Sequence, residues 1–180
     1  EGPVEFAACL AAQAGGSYGS SGVGNPTHLA VARLVEHLRA DAVHVPYGGS
    51  ALAFADLVAG RIDFMMTASN SSVGGHGAVR ALAVTTQSRS RLPGLDRLPT
   101  IAETLVPGFD FGLWQAVYAP ARLPDAAVAT LSAQMRDVLA LDSVRAALAD
   151  GGVETIAGSP EDADRVYRAE FARLRERMPK

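Results

Sequence analysis

A single cysteine, Cys9, lies in the apolar stretch VEFAACLAAQ, so the chain can form neither an internal disulfide nor a cysteine-rich metal site. No apolar run approaches the roughly 20 residues of a membrane-spanning helix, so no direct membrane insertion is expected. The opening EGPVEF lacks the basic and apolar regions of a secretory leader. Neither sign of charge dominates: 16 Lys and Arg stand against 19 Asp and Glu, a net charge of −3. That balance gives no general attraction to phosphate backbones or anionic lipid, and no nucleic-acid partner is expected.

What is present is globular. Hydrophobic residues make up 48% of the 180, with 18 Gly and 10 Pro, enough for one ordinary domain or for one small lobe plus part of another. Residues 4–13 read as a helix ended by Gly15 and Gly16, and SYGSS (17–21) as a short strand. Pro26 suits the first turn of a second helix, in which Val31, Leu34, Val35 and Leu38 recur at helical spacing. AVHVPY (42–47) reads as a strand, and SALAFADLVAG (50–60) as a helix capped by Ser50 and closed by Gly60. IDFMM (62–66) and VRALAVTT (79–86) are apolar enough for strands buried on both faces. This alternation predicts an α/β fold with a largely parallel sheet flanked by helices.

Beyond Thr86 the texture changes. SRSRLPGLDRLPT (88–100) reads as an exposed excursion and a plausible boundary. FGLWQAVYAP (111–120) reads as a strand with Trp114 and Tyr118 on one face, and residues 124–141 and 143–149 as helices. A last helix starts at SPED, where Ser159 caps and Asp162 closes a capping box. Glu1 falls just before a helix with no opening strand, so the natural chain is expected to extend upstream.

In an open parallel sheet, ligands lie beyond the carboxyl ends of the strands. Three strand-ending turns are therefore the candidate site: SSGVGNPTH (20–28), PYGGSA (46–51) and TASNSS (67–72). Such turns present backbone N–H groups and positive helix ends, an environment suited to an anion, and their hydroxyls add adjustable donors. Capping preferences alone also generate turns of this composition, so each by itself reads as ordinary punctuation, and it is the three together that make a site an equal reading.

Other chemistry is poorly served. The G-x-G of GVGNPT has Thr27 at the third glycine position, and the following strand ends in VHVPY without the acidic residue that holds a ribose, so no nucleotide cofactor is expected. Neither a P-loop nor a G-x-S-x-G elbow occurs. His28, His37, His44 and His76 show no metal-ligand spacing, and Asp56 and Asp63 read as capping or solvated groups. No catalytic residue, cofactor or metal is expected. His28, in the first helical turn, is placed to brace the first loop.

Taken in order, GSYGSSGVGNPTHLA, VHVPYGGSALAFADLVAGRIDFMM, VRALAVTTQSRSRLPGLDRLPTIAETLVPGFDF and YAPARLPDAAVATL resemble the Bug or TctC receptors. These are the extracytoplasmic solute-binding proteins of tripartite tricarboxylate transporters, and the resemblance covers nearly the whole chain. It implies a type II periplasmic-binding-protein fold that closes on a small carboxylate-bearing organic acid, a periplasmic location, membrane components of the transporter as partners, and no enzyme activity. It also implies ligand-binding roles for Ser20, Ser21, Gly22, Asn25, Thr27 and His28, for Tyr47, Gly48, Gly49, Ser50 and Ala51, and for Thr67, Ala68 and Ser69.

The likeness further implies that residues 1–104 form most of the second lobe. Residues 105–180 then supply a crossover strand and C-terminal helices belonging to the first lobe. The family's first lobe and its Gly-rich loop have no counterpart here, so weak ligand binding is expected. Thr67 and Ala68 also stand where the family usually carries an Asp-Asn pair. The rival readings are an effector-sensing domain of a transcriptional regulator and a nucleotide-dependent enzyme. A helix-turn-helix segment or retained cofactor would favour them.

Overall fold

The computed structural model describes residues 2–12, 15–69 and 77–177; His76 and the end of the third turn, 70–72, lie outside them. The chain divides into two compact units, Glu1–Leu113 with Asp150–Val153, and Trp114–Ala149 with Glu154–Lys180.

The first unit opens with α1 (Pro3–Ala12), then β1 (Gly16–Ser20), α2 (Pro26–Leu38), β2 (Ala42–Pro46), α3 (Ser50–Val58), β3 (Phe64–Met65) and a short α4 (Ile101–Thr104). Helix α2 forms where Pro26 and apolar spacing place it. The Asn25 side chain accepts from the Thr27 N–H, and Thr27, Ala30, Val31 and Leu34 are buried. Helix α3 departs from expectation at its start: Gly49 holds the cap position, with no side-chain hydrogen bond, and Ser50 is the first helical residue rather than the cap.

The three strands are parallel in the order β2-β1-β3. Side chains alternate across a strand, and β1 shows what each face meets. Tyr18 lies between its register partners His44 and Phe64 and stacks toward His28 of α2, while Phe64 meets Phe6 of α1 edge-on. Gly19, on the opposite face, lies against Ala53 of α3 and Ile62. Helices therefore cover both faces, as in a doubly wound sheet.

Three expected strands are shorter or absent among the described residues. IDFMM pairs only at Phe64 and Met65. VRALAVTT makes one isolated bridge, Val84 to Thr100, and Thr85 accepts from the Phe111 N–H. FGLWQAVYAP forms no ladder, and Leu113, Val117 and Tyr118 are 55%, 79% and 69% exposed. Apolar alternation expresses a tendency to pair, and a strand exists only where another chain segment accepts the ladder.

The excursion at 88–100 is anchored rather than loose, because Leu92, Leu95 and Thr100 are buried. Thr100 caps α4 in a box with Glu103. Behind it Leu34, Ile101, Val106 and fully buried Phe109 form the core, and the Arg33 guanidinium lies 5.8 Å from the ring centres of Phe109 and Phe111.

The second unit is helical, with α5 (Asp125–Ala140), most of α6 (Asp142–Asp150) and α7 (Pro160–Arg177). The Ser159–Asp162 capping box forms as expected, with bonds of 2.9 and 3.2 Å. Helix α5 buries no residue, and Leu131, Met135 and Val138 remain partly exposed on it.

Candidate ligand-binding corner

Because the strands are parallel, their carboxyl ends share one edge, and the chain leaves that edge in three turns, at 21–25, 47–49 and 66–69. The register sets Ser20 opposite Pro46 and Gly19 opposite Met65, so the three turns begin at one level. Winding reverses at β1, and the edge beside such a reversal is where open α/β sheets collect ligands.

The first turn is braced from within. Fully buried Ser20 accepts from the Gly22 N–H at 3.2 Å, and its hydroxyl lies 2.7 Å from His44 Nε2. The Ser21 N–H donates to Thr27 Oγ1, and the two hydroxyls are 2.9 Å apart. The Gly24 N–H donates to His28 Nδ1 at 3.1 Å, and the Asn25 N–H to the Gly22 carbonyl. His28 thus braces the loop, as its place in the helix suggested. Most amides expected to face a ligand here are engaged by the turn's own groups. Ser20, Asn25, Thr27 and His28 shape the corner, and Gly22, at φ +127°, supplies a conformation that L side chains rarely adopt.

The second turn is the open one. The Tyr47 N–H donates to the Ser20 carbonyl at 3.1 Å, joining the two turns, and the Tyr47 hydroxyl donates to Asp56 of α3 at 2.9 Å. That bond and the ion pair with Arg61 hold the Asp56 carboxyl below its ordinary value. Gly48 and Gly49 follow. With glycine in the cap position, the amides of Ser50 and Ala51 have no intrahelical acceptor and no side-chain cap, and the positive end of α3 stands at this edge.

In the third turn, Thr67 Oγ1 is buried without a hydrogen-bond partner among the described residues. An unmet buried hydroxyl costs roughly 1–3 kcal/mol, so this group gains from any ligand or water that reaches it. Ser69 donates to the Gly152 carbonyl. Ala68 contributes no side-chain polar group.

Sequence reasoning missed His44 as part of the corner. Its ring lies 4.0 Å from that of His28 and 5.0 Å from that of Tyr18, centre to centre. Burial, and then the neighbouring His28, push its pKa down. No local signal pointed to it: His44 reaches the corner through its register with Tyr18, which lies two residues before Ser20 on the same face of β1.

A parallel, doubly wound lobe whose strand-end turns meet at one edge, with a glycine-led helix start open there, belongs to the class of periplasmic-type solute-binding folds. The chain is a member of the tripartite tricarboxylate transporter family receptors, TctC, whose family model matches residues 8–178. It is 37% identical over 158 residues to the UPF0065 protein in the tcbD-tcbE intergenic region of Pseudomonas sp. strain P51, covering 87% of this chain and 47% of that protein. Among solved structures, R. palustris Rpa4515 with adipate shares 32% identity at TM-score 0.86, covering 97% of this chain and 59% of the other. MatC from Rhodopseudomonas palustris with bound malate shares 26% at TM-score 0.79, covering 98% and 61%. The chain therefore spans about half to three-fifths of the length of these relatives.

Proposed function

We propose that this chain forms part of a periplasmic receptor that captures a small dicarboxylate or similar organic acid for a tripartite tricarboxylate transporter, without catalysis. The observation that carries the reading is the uncapped N-terminus of α3, behind Gly48 and Gly49, at the same sheet edge as the first turn and the unpartnered Thr67 hydroxyl. Backbone donors and a helix end stabilise a carboxylate without an arginine, by up to about 2 kcal/mol for a partly buried helix terminus. The adipate and malate held by two structural neighbours are ligands of this chemistry.

Under this reading Gly48, Gly49, Ser50 and Ala51 meet the anion directly. Ser21 and Gly22 line it, Ser20, Asn25, Thr27, His28 and Tyr47 hold the turns in place, and Thr67, Ala68 and Ser69 meet the ligand's far end. Residues 1–104 correspond to most of one lobe and 105–180 to the crossover and helices of the other, with further chain in the relatives completing the receptor. This chain alone therefore binds weakly. Titrating adipate and then malate into ¹⁵N-labelled chain should shift the amides of 21–25, 48–51 and 67–69, with a dissociation constant above about 100 μM. Shifts confined to α5 and α7, or none at millimolar adipate and malate, would refute the assignment.

A further inference from the structure

We propose that His28 is a positioning residue of the first turn, holding the Gly24 amide through a neutral Nδ1 while His44 fixes its ring by stacking, so that acidification releases the turn. The inference deepens the carboxylate-corner reading and rests on it.

An imidazole nitrogen accepts a hydrogen bond only while it carries no proton. The Gly24 N–H points at His28 Nδ1 at 3.1 Å, so the ring is neutral in this arrangement with its proton on Nε2. A second proton would set N–H against N–H, and the brace would be lost. The His44 ring lies 4.0 Å away at an interplanar angle of 19°, and its Nε2 meets the buried Ser20 hydroxyl, which in turn accepts from the Gly22 N–H. The two histidines therefore hold Gly22 and Gly24, on either side of Val23, from beneath.

The groups facing the pair come from each element packed on it. From β1 there is Tyr18, whose phenol burial pushes further from ionisation, from α2 His28 and from β2 His44. No ion pair reaches either imidazole among the described residues. With no carboxylate in contact to stabilise an imidazolium, and the His28 imidazole stacked against it, charging His44 works against the packed arrangement. Burial and the His28 neighbour act on His44 in the same direction. The sign follows from the bond itself: a proton placed on His28 Nδ1 removes the acceptor of the Gly24 N–H, so added acid loosens the turn and never tightens it.

The test uses this 180-residue chain with two readouts. In the first, ring and amide NMR signals are followed from about pH 8 to about pH 5. His28 should show the Nε2–H tautomer when neutral. The Gly24 amide should move with the His28 ring on a shared midpoint, its exchange protection falling about tenfold, the size expected for one hydrogen bond. In H28N the amide oxygen can take the place of Nδ1 but does not titrate, so the Gly24 signal should stay flat; in H28A protection should be low at every pH. A Gly24 amide indifferent to the ring, an Nδ1–H tautomer, or a ring that stays neutral to about pH 5 would each overturn the proposal.

In the second readout, adipate affinity is compared between about pH 7.5 and about pH 6, using H28N to subtract the ligand's own titration. The parent should lose about three- to tenfold more affinity than the variant. Affinity that rises on acidification in the parent alone would overturn the proposal, because His28 would then act as a direct positive partner of the anion. Absence of adipate binding at both values would count against the carboxylate reading instead, and the NMR readout would still decide the role of His28.

Discussion

Gly19 couples the fold to the corner, and replacing it with alanine probes both. The strand conformation there needs no glycine; what needs it is space. An added Cβ would lie 2.5 Å from Ile62 Cδ1, 3.2 Å from Ala53 Cβ and 3.4 Å from Tyr47 Cε2. Ile62 is 3% exposed and Ala53 is fully buried, so the methyl end of Ile62 has little room to turn and the Ala53 Cβ moves only with α3 itself. Overpacking of this kind costs about 1–3 kcal/mol. For a chain of this size, about 2 kcal/mol corresponds to a drop in melting midpoint of about 4–8 °C. Because α3 also carries Asp56, to which the Tyr47 hydroxyl is bonded, displacement of the helix should shift the second turn as well. Thermal unfolding followed by circular dichroism, with amide spectra of Tyr47 to Ala51, reads both effects. A G19A midpoint within about 1 °C of the parent, with those amides unmoved, would refute the packing argument.

Two further expectations are simpler. Gly49 has an extended backbone with φ 167° and nothing within 4 Å of an added Cβ, so Gly49→Leu should leave the unfolding midpoint unchanged while removing the adipate-induced shifts at Ser50 and Ala51; retained shifts would take this turn out of the site. Glu103 is held below the ordinary glutamate value of 4.5 by the Thr100 N–H, and next by Arg89. Its stabilising contribution is therefore present above that value and lost as pH falls through the lowered one. Acid denaturation of Glu103→Gln should show a shallower fall in stability below pH 4.5 than the parent, and an identical slope would exclude the capping box as its source.

Local patterns carried much of this protein into view. The spacing of Val31, Leu34 and Leu38, the proline at position 26 and the Ser159–Asp162 pair specify helices through interactions within a few residues, and these formed as read. The turns after β1 and β2 were legible for the same reason, since glycine and hydroxyl residues mark where a chain leaves a strand and opens a helix. Parallel strands then bring the turns to one edge as a matter of topology.

Long-range geometry decided the rest. Whether VRALAVTT and FGLWQAVYAP become strands depends on partners elsewhere in the chain, and an apolar run carries no record of whether one arrives. Which amides remain available is likewise a tertiary matter. The first turn closes on its own side chains because Thr27, His28 and His44 reach it, whereas the second, led by glycine, has no side-chain cap. Amino-acid order alone determined where the chain could bend and which faces were apolar, because those preferences act over one or two turns of backbone. Only folding set His44 beneath a loop 24 residues earlier, because that contact exists solely through the β1–β2 register.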